Sequence, residues 1–311
     1  MTESIEESIK KGYCSWRKNP EIGVPYLLAA VITAALSIVC LIAVVFVSSV
    51  AAGFSGNLDS TSSTIITFAA PVLSCGFSLI IIVAVNAYFL AGAIGMSLES
   101  ALRGKTSLSD MAYYGQKKIF DVSKSIFLWM LLLLVPGLIL LVPPVAAFYS
   151  GAFNPGISLT LLSAVLYLTY AAVFVFLYTL TAIAIVADDV GAIDGLKNSY
   201  AYAKKNKAKI LLTLSTYMGF MYGLSLAYSA LTSPVGLLRF YSQNAYSAAE
   251  VLLMLAFMLI ASFIATPLYT LWLTRIYVEE PKDARTERER ILRPQTRERR
   301  GTQRDIYVRS P

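Results

Sequence analysis

Long apolar runs alternate with short polar segments along this chain. Runs well above the roughly 18 residues that cross a bilayer begin near Val24, Ile65, Ser125, Leu159, Ile210 and Ala248, which predicts six membrane helices. The polar segments have a regularity of their own. Before the first, third and fifth runs, apolar residues recur at helical spacing: Ile5, Ile9, Gly12 and Trp16; Leu108, Met111, Ala112, Gly115 and Ile119; Ile193, Leu196, Tyr200 and Ala203. In the last of these, Asp194, Lys197, Asn198 and Lys205 are expected to face water. Each segment predicts an amphipathic helix lying on the membrane surface. The expected fold class is all-α: a polytopic membrane helix bundle of six transmembrane helices, organised as three hairpins, each preceded by an amphipathic inner-surface helix.

Local signals refine this outline. Ser4 with Glu7 and Ser107 with Asp110 have capping-box spacing, and Asp189 can cap the third surface helix. Pro20 and Pro25 turn the chain into the first span, about Val24 to Val50. The second span, about Ile65 to Leu98, is too long for a perpendicular crossing and must tilt or project. On it Ala87, Ala91 and Gly95 form a stripe of small residues that permits close helix contact, and Asn86 suits an interhelical hydrogen bond. Gly219, Gly223 and Ala227 repeat that spacing on the fifth span. Pro136, Gly137, Pro143 and Pro144 interrupt the third, which reads either as a kinked helix or as a discontinuous helix lining a binding site.

The segments repeat. Ile9-x-x-Gly12-Tyr13-x-x-x-Arg17-Lys18-Asn19 matches Leu196-x-x-Ser199-Tyr200-x-x-x-Lys204-Lys205-Asn206. A pseudo-threefold repeat follows, with units of about residues 1–97, 98–187 and 188–277 in one domain, 1–277. Residues 278–311 are Arg-rich and too poor in apolar groups to fold alone, so they read as a disordered cytoplasmic tail.

Composition agrees with the pattern. The 311 residues are 57% hydrophobic and 14% charged, with a mean hydropathy of +0.64, against about 25% charged in soluble domains. Lys and Arg gather in the N-terminal arm, in the linkers after the second and fourth spans and beyond Arg275, whereas the alternate loops hold only Arg239. The positive-inside rule then places both termini in the cytoplasm of a cell membrane. The net charge of +7 is explained by anionic headgroups, without nucleic acid. The first apolar run is longer than a signal-peptide core and is retained. Cys14, Cys40 and Cys75 form no Cys-x-x-Cys and read as reduced and structural.

Catalytic constellations are missing from the sequence. The chain has no histidine, which excludes Ser-His-Asp and Cys-His machinery and the common zinc motifs. It has no P-loop and no Gly-x-Gly-x-x-Gly, and the centres of the spans lack Asp, Glu, Lys and Arg. The reading is that the protein is not an enzyme and carries no cofactor. Asp188, Asp189 and Asp194 are the one acidic cluster; metal-assisted chemistry there is the alternative to capping and helix-dipole stabilisation.

Ile185-Val186-Ala187-Asp188-Asp189, then Ala192, Leu196-Lys197-Asn198-Ser199-Tyr200 and Lys204-Lys205-Asn206, with Leu134-Val135-Pro136-Gly137-Leu138-Ile139 upstream, form a recognisable set. It resembles uncharacterised prokaryotic six-helix membrane families, archaeal ones included, related to the membrane-anchor domain of glycerophosphodiester phosphodiesterases. The resemblance covers about residues 90–220. It implies a fold and a cell-membrane location, and no phosphodiesterase activity, because catalysis in those enzymes belongs to a separate soluble domain.

Two functions compete. The first is a non-enzymatic organiser or adaptor that binds anionic lipids or partner proteins at the cytoplasmic face, through Trp16, Arg17, Lys18, Lys117, Lys118, Lys197, Lys204, Lys205 and Lys207, with a protein partner on the tail. The second is a facilitator or exporter of small apolar or lipid-like solutes, suggested by the prolines of the third span and the Ser, Thr and Tyr in the helices. A dry bundle without a cavity between its units counts against the second. The oligomeric state is open.

Overall fold

The computed structural model describes residues 5–55, 60–240 and 242–278, and every regular element among them is helical. Helix α1 (Ile5–Lys18) ends in a 3-10 turn at Pro20–Gly23, and α2 (Val24–Ser55) follows. The two longest helices are α3 (Ser60–Arg103) and α4 (Leu108–Tyr149). Next come α5 (Phe153–Tyr178), the short α6 (Thr181–Ala187), α7 (Ala192–Lys205) and α8 (Lys207–Val235). A 3-10 turn, Gly236–Phe240, leads to α9 (Gln243–Ile260), and a π-helical turn, Ala261–Ala265, joins α9 to α10 (Thr266–Val278).

Among the described residues, six stretches are long and apolar enough to cross a membrane: Pro20–Gly53, Ala69–Arg103, Leu108–Tyr149, Phe153–Ala187, Lys207–Val235 and Gln243–Val278. Ile38, Leu41, Phe46, Val72, Leu161 and Leu252 on these stretches all face outward. Such a surface is costly in water and ordinary against lipid tails, so the architecture is compatible with a multi-pass membrane protein. At about 1.5 Å per residue, the 44 residues of α3 reach well past a hydrocarbon core of roughly 30 Å.

The expected separate surface helix at residues 108–119 is instead the beginning of α4, which runs from Leu108 to Tyr149 without interruption. No Pro stands between Leu108 and Val135 to stop it, and Asp110 accepts from the Ser107 backbone N–H at 2.9 Å, as the capping spacing predicted. The helix also continues through Pro136, Gly137, Pro143 and Pro144, which excludes the discontinuous reading and keeps the continuous one. Pro136 has no N–H for the carbonyl of Leu132, and the Tyr170 hydroxyl of α5 donates to that carbonyl at 2.6 Å. A neighbouring helix thus satisfies the group that proline leaves over. Tyr170→Phe is expected to lower stability by about 1 kcal/mol, read as a lower unfolding midpoint in detergent. An unchanged midpoint would mean that the carbonyl finds another partner.

Packing follows the small residues only in part. Ala87, Ala91 and Gly95 are buried between α3 and its neighbours, and a Cβ on Gly95 would stand 2.2 Å from the Tyr114 ring of α4. Asn86 donates to Thr33 Oγ1 of α2 at 2.9 Å, the interhelical bond the sequence suggested. By contrast Gly219, Gly223 and Ala227 are exposed, and a Cβ on either glycine would meet nothing within 4 Å. Helix α8 instead uses its opposite face, with Thr213 buried, Tyr217 stacked on Tyr269 at 4.2 Å and Tyr228 against Phe257 at 5.0 Å. The short helices dock on protein: α1 lies against α10, the first turns of α4 against the end of α3, and α7 against α5 and α6. Trp272 Nε1 of α10 donates to the Ile9 carbonyl of α1 at 3.1 Å, and Gly12 leaves room for that indole, which a Cβ would meet at 2.4 Å.

Candidate functional site

The turn between α6 and α7 is the polar centre of the end at which α1 and α7 lie. Asp188 Oδ2 accepts from Asn198 Nδ2 at 3.0 Å and from the Tyr277 hydroxyl, binding α7 and α10 to the turn. Ser199 Oγ donates to the Leu177 carbonyl at 3.0 Å, and the Tyr202 hydroxyl donates to the Ile276 carbonyl at 2.5 Å. Asp189 has a φ of +55°, a left-handed conformation that costs a non-glycine residue energy and must be held by its surroundings. Its carboxylate meets Lys118 Nζ at 2.9 Å and Lys117 Nζ at 3.1 Å. Lys118 also donates to the Val190 carbonyl at 3.2 Å and lies 3.7 Å from Asp121.

The hydrogen bond from Lys118, and after it that from Lys117, holds the Asp189 carboxyl below the usual carboxylate range. A depressed folded-state pKa stabilises the fold above the unfolded-state value and loses that contribution as pH falls through the folded-state value. The pairing should therefore be complete at about pH 5 and fade below it. Because the carboxylate is more than half exposed, the effect stays under about 1 kcal/mol. Asp189→Asn is expected to flatten the acid limb of a plot of unfolding midpoint against pH. An equal slope in wild type and variant would remove the clamp from the account.

These contacts correct several expectations. Lys118, expected at the membrane surface, is only 5% exposed, because the turn folds over it and supplies both anion and carbonyl. Asn198, expected in water, is 3% exposed, because the buried face of α7 is Ala192, Gly195, Asn198, Ser199, Tyr202 and Ala203, not the Ile193 and Tyr200 side. Gly191 occupies the N-cap position of α7 that was expected of Asp189. Trp16 packs beside Ile22, Met96 and Leu271 of the protein. Lys117 pairs with Asp189, and Lys197 with Asp194 at 3.3 Å. Arg17, Lys18, Lys204, Lys205 and Lys207 are exposed, as expected. The three carboxylates Asp188, Asp189 and Asp194 each engage a different set of partners, and among the described residues no group of three His, Cys, Asp or Glu side chains could hold a metal. Cys14, Cys40 and Cys75 are in no disulfide among the described residues; Cys14 and Cys75 are exposed and Cys40 partly so.

Next to this junction lies a cavity of about 400 Å³, within the range of pockets that hold drug-sized ligands. Tyr26 enters from the start of α2, Leu90 and Ile94 from α3, and residues 125–133 from α4. The α5–α6 joint supplies Tyr178, Thr179, Thr181, Ala182 and Ile183; α10 supplies Thr266, Tyr269, Thr270 and Leu273. The π-helical turn sets the phase of α10. Pro267 cannot donate to the Phe263 carbonyl four residues back, while Thr266 Oγ1 donates to the Ala261 carbonyl at 3.0 Å. Turns of this kind recur at functional sites. The lining contains no charged side chain. Its hydroxyls pair across elements: Tyr26 donates to Thr270 Oγ1 at 2.5 Å, and Thr179 and Tyr269 share a bond of 2.9 Å. Trp129 lines this cavity and packs edge-on against Phe174 at 5.1 Å.

Sequence reasoning passed over Tyr26, Tyr178, Thr179, Thr266, Tyr269 and Thr270 as site residues. Pro267 inside the sixth run was the one available signal, and it marks the turn but not the partners. A second hollow of about 410 Å³ lies between α4 and α5, along Leu134–Leu141 and Thr160–Tyr167.

Residues 4–279 match the family described as Domain of unknown function (DUF7847). The chain belongs to that family. The DUF7847 match takes in α1, α7, the polar junction and the cavity together, so these features are parts of one family domain. The resemblance to the phosphodiesterase anchor domain rests on the short motifs alone. No curated protein and no solved structure matches the chain.

Proposed function

We propose that this DUF7847 protein is a non-enzymatic membrane protein that binds, and facilitates the passage of, a small apolar or lipid-like molecule. The observation that supports this reading is the cavity of about 400 Å³ at the meeting of α2, α3, α4, the α5–α6 joint and α10. A bundle evolved only as a scaffold has no need of such a space, since unfilled volume costs stability. The test is purification from the native membrane in nanodiscs, followed by mass spectrometry of the small molecules that remain. A stoichiometric lipid or metabolite, lost from a folded Ala182→Phe variant that fills the cavity, is the expected result. Retention of the same molecule by that variant would move the site elsewhere.

The organiser reading keeps one supporting observation. Arg17, Lys18, Lys204, Lys205 and Lys207 are exposed at the end where α1 and α7 dock, which suits anionic headgroups or an acidic partner. In this proposal both termini are cytoplasmic, the bundle sits in the cell membrane, and the cavity lies at the depth of the inner leaflet. The pseudo-threefold repeat belongs here too. Its support is cyclic: α1 packs on the last helix of the third unit, α4 on the last of the first, and α7 on the last of the second. Residues 279–311, the expected docking tail, lie outside the described residues. Their removal together with charge neutralisation at Lys204, Lys205 and Lys207 is the discriminating experiment: loss of a stoichiometric protein partner would favour the organiser.

A further inference from the structure

We infer that the cavity accepts an electrically neutral, single-chain amphiphile whose head carries a hydrogen-bond acceptor, such as an ester, ether or hydroxyl oxygen. This rests on the proposal that the cavity is a binding site, and it goes further by stating what the site selects. Charge is excluded first. No charged side chain lines the space, and an ion without a partner in an apolar setting is strongly disfavoured. Lys118, a buried cation on the same helix as Ser125 and Trp129, is already held by Asp189 at 2.9 Å and by the Val190 carbonyl at 3.2 Å, so it is not available to an anionic head.

The hydrogen-bonding inventory then assigns the head. Most hydroxyl donors of the lining are spent inside the protein. Tyr26 donates to Thr270, Thr270 to the Thr266 carbonyl at 3.1 Å, Thr181 to the Tyr178 carbonyl at 2.7 Å, and Ser125 to the Val122 carbonyl at 2.8 Å. Two donors remain. The indole N–H of Trp129 and the hydroxyl of Tyr178, both on lining residues, have no partner among the hydrogen bonds of the described residues. Both side chains pack on the same ring, Phe174 of α5, at 5.1 and 4.8 Å, so one ring holds both donor-bearing side chains. Trp and Tyr in apolar surroundings ordinarily find an acceptor, and here a ligand oxygen supplies it. Leu90, Ile94, Ile126, Leu133, Ile183 and Leu273 offer the hydrocarbon wall for a tail.

The experiment uses the full chain in nanodiscs and five probes with a common chain length: oleyl alcohol, methyl oleate, oleate, oleylamine and octadecene, with affinities read by native mass spectrometry. The alcohol and the ester are expected to bind at least about tenfold more tightly than oleate and oleylamine. In Trp129→Phe, in Tyr178→Phe and in the double variant, the affinities of the alcohol and the ester should fall stepwise toward that of octadecene, whose binding stays unchanged; each variant retains the aromatic packing on Phe174. Equal binding of oleate or oleylamine, or alcohol and ester affinities untouched by the double variant, would overturn the inference while leaving a binding site in place. Failure of all five probes to bind would overturn the site itself.

Discussion

Asp188→Ala is expected to destabilise the protein by about 2–4 kcal/mol, the sum of two buried donors losing their acceptor at roughly 1–3 kcal/mol each, less the relief from removing a desolvated carboxylate. The donors are Asn198, 3% exposed, and Tyr277, 1% exposed. They reach Asp188 from two different helices, so the loss also loosens α7 and α10 from the α6–α7 turn. The measurement is the unfolding midpoint in nanodiscs. Tyr277→Phe and Asn198→Ala should each produce part of the shift, and their double variant should approach that of Asp188→Ala because all three remove one network. A midpoint within the scatter of wild type for Asp188→Ala would show that the junction does not hold these helices.

Gly95→Val is expected to be at least as damaging. A Cβ at Gly95 would lie 2.2 Å from Tyr114 Cδ2, 2.3 Å from Cγ and 2.5 Å from Cβ. The last of these atoms is attached to the backbone, so rotating the ring cannot clear the clash. The ring is also tethered, since its hydroxyl donates to Glu99 at 2.8 Å and Glu99 meets Arg103 at 2.9 Å. The helices must separate, and overpacking of this kind costs about 3 kcal/mol or more. The expected readout is little folded protein in the membrane fraction and a midpoint far below wild type. The matched control is Gly219→Val, at a glycine of similar sequence context that touches no other element. It should behave like wild type as a monomer, within about 0.5 kcal/mol plus a small helix-propensity term. Similar stability of Gly95→Val and Gly219→Val would refute the assignment of α3 and α4 as a close-packed pair.

That contrast shows where the sequence stops being informative. The two small-residue stripes have the same spacing, and only the surroundings differ: α3 buries Ala87 and Ala91 and meets α4 at Gly95, whereas α8 turns Gly219 and Gly223 outward. Spacing states which residues share a face; it does not state what the face meets. Helix α7 makes the same point with polar residues. Its amphipathic pattern placed Asn198 in water, yet Asn198 sits in the protein because Asp188 and the α5–α6 joint are there to receive it. Asn86 went the other way: an amide alone in an apolar span has to find a partner within the bundle, and it found Thr33.

The amino-acid sequence by itself determined the quantities that depend on local length and composition. These are the helical class and the six membrane-length apolar stretches, because lipid leaves the backbone almost no alternative to helix; periodicity adds only which residues share a face. Only the tertiary structure decided what those faces enclose. Residues from α2, α3, α4, the α5–α6 joint and α10, far apart in the chain, line one uncharged cavity, and Lys118 is withdrawn from the surface by a turn 70 residues away in sequence. Burial, pairing and cavity shape are sums over contacts between distant segments, and no window of local sequence contains both sides of such a contact.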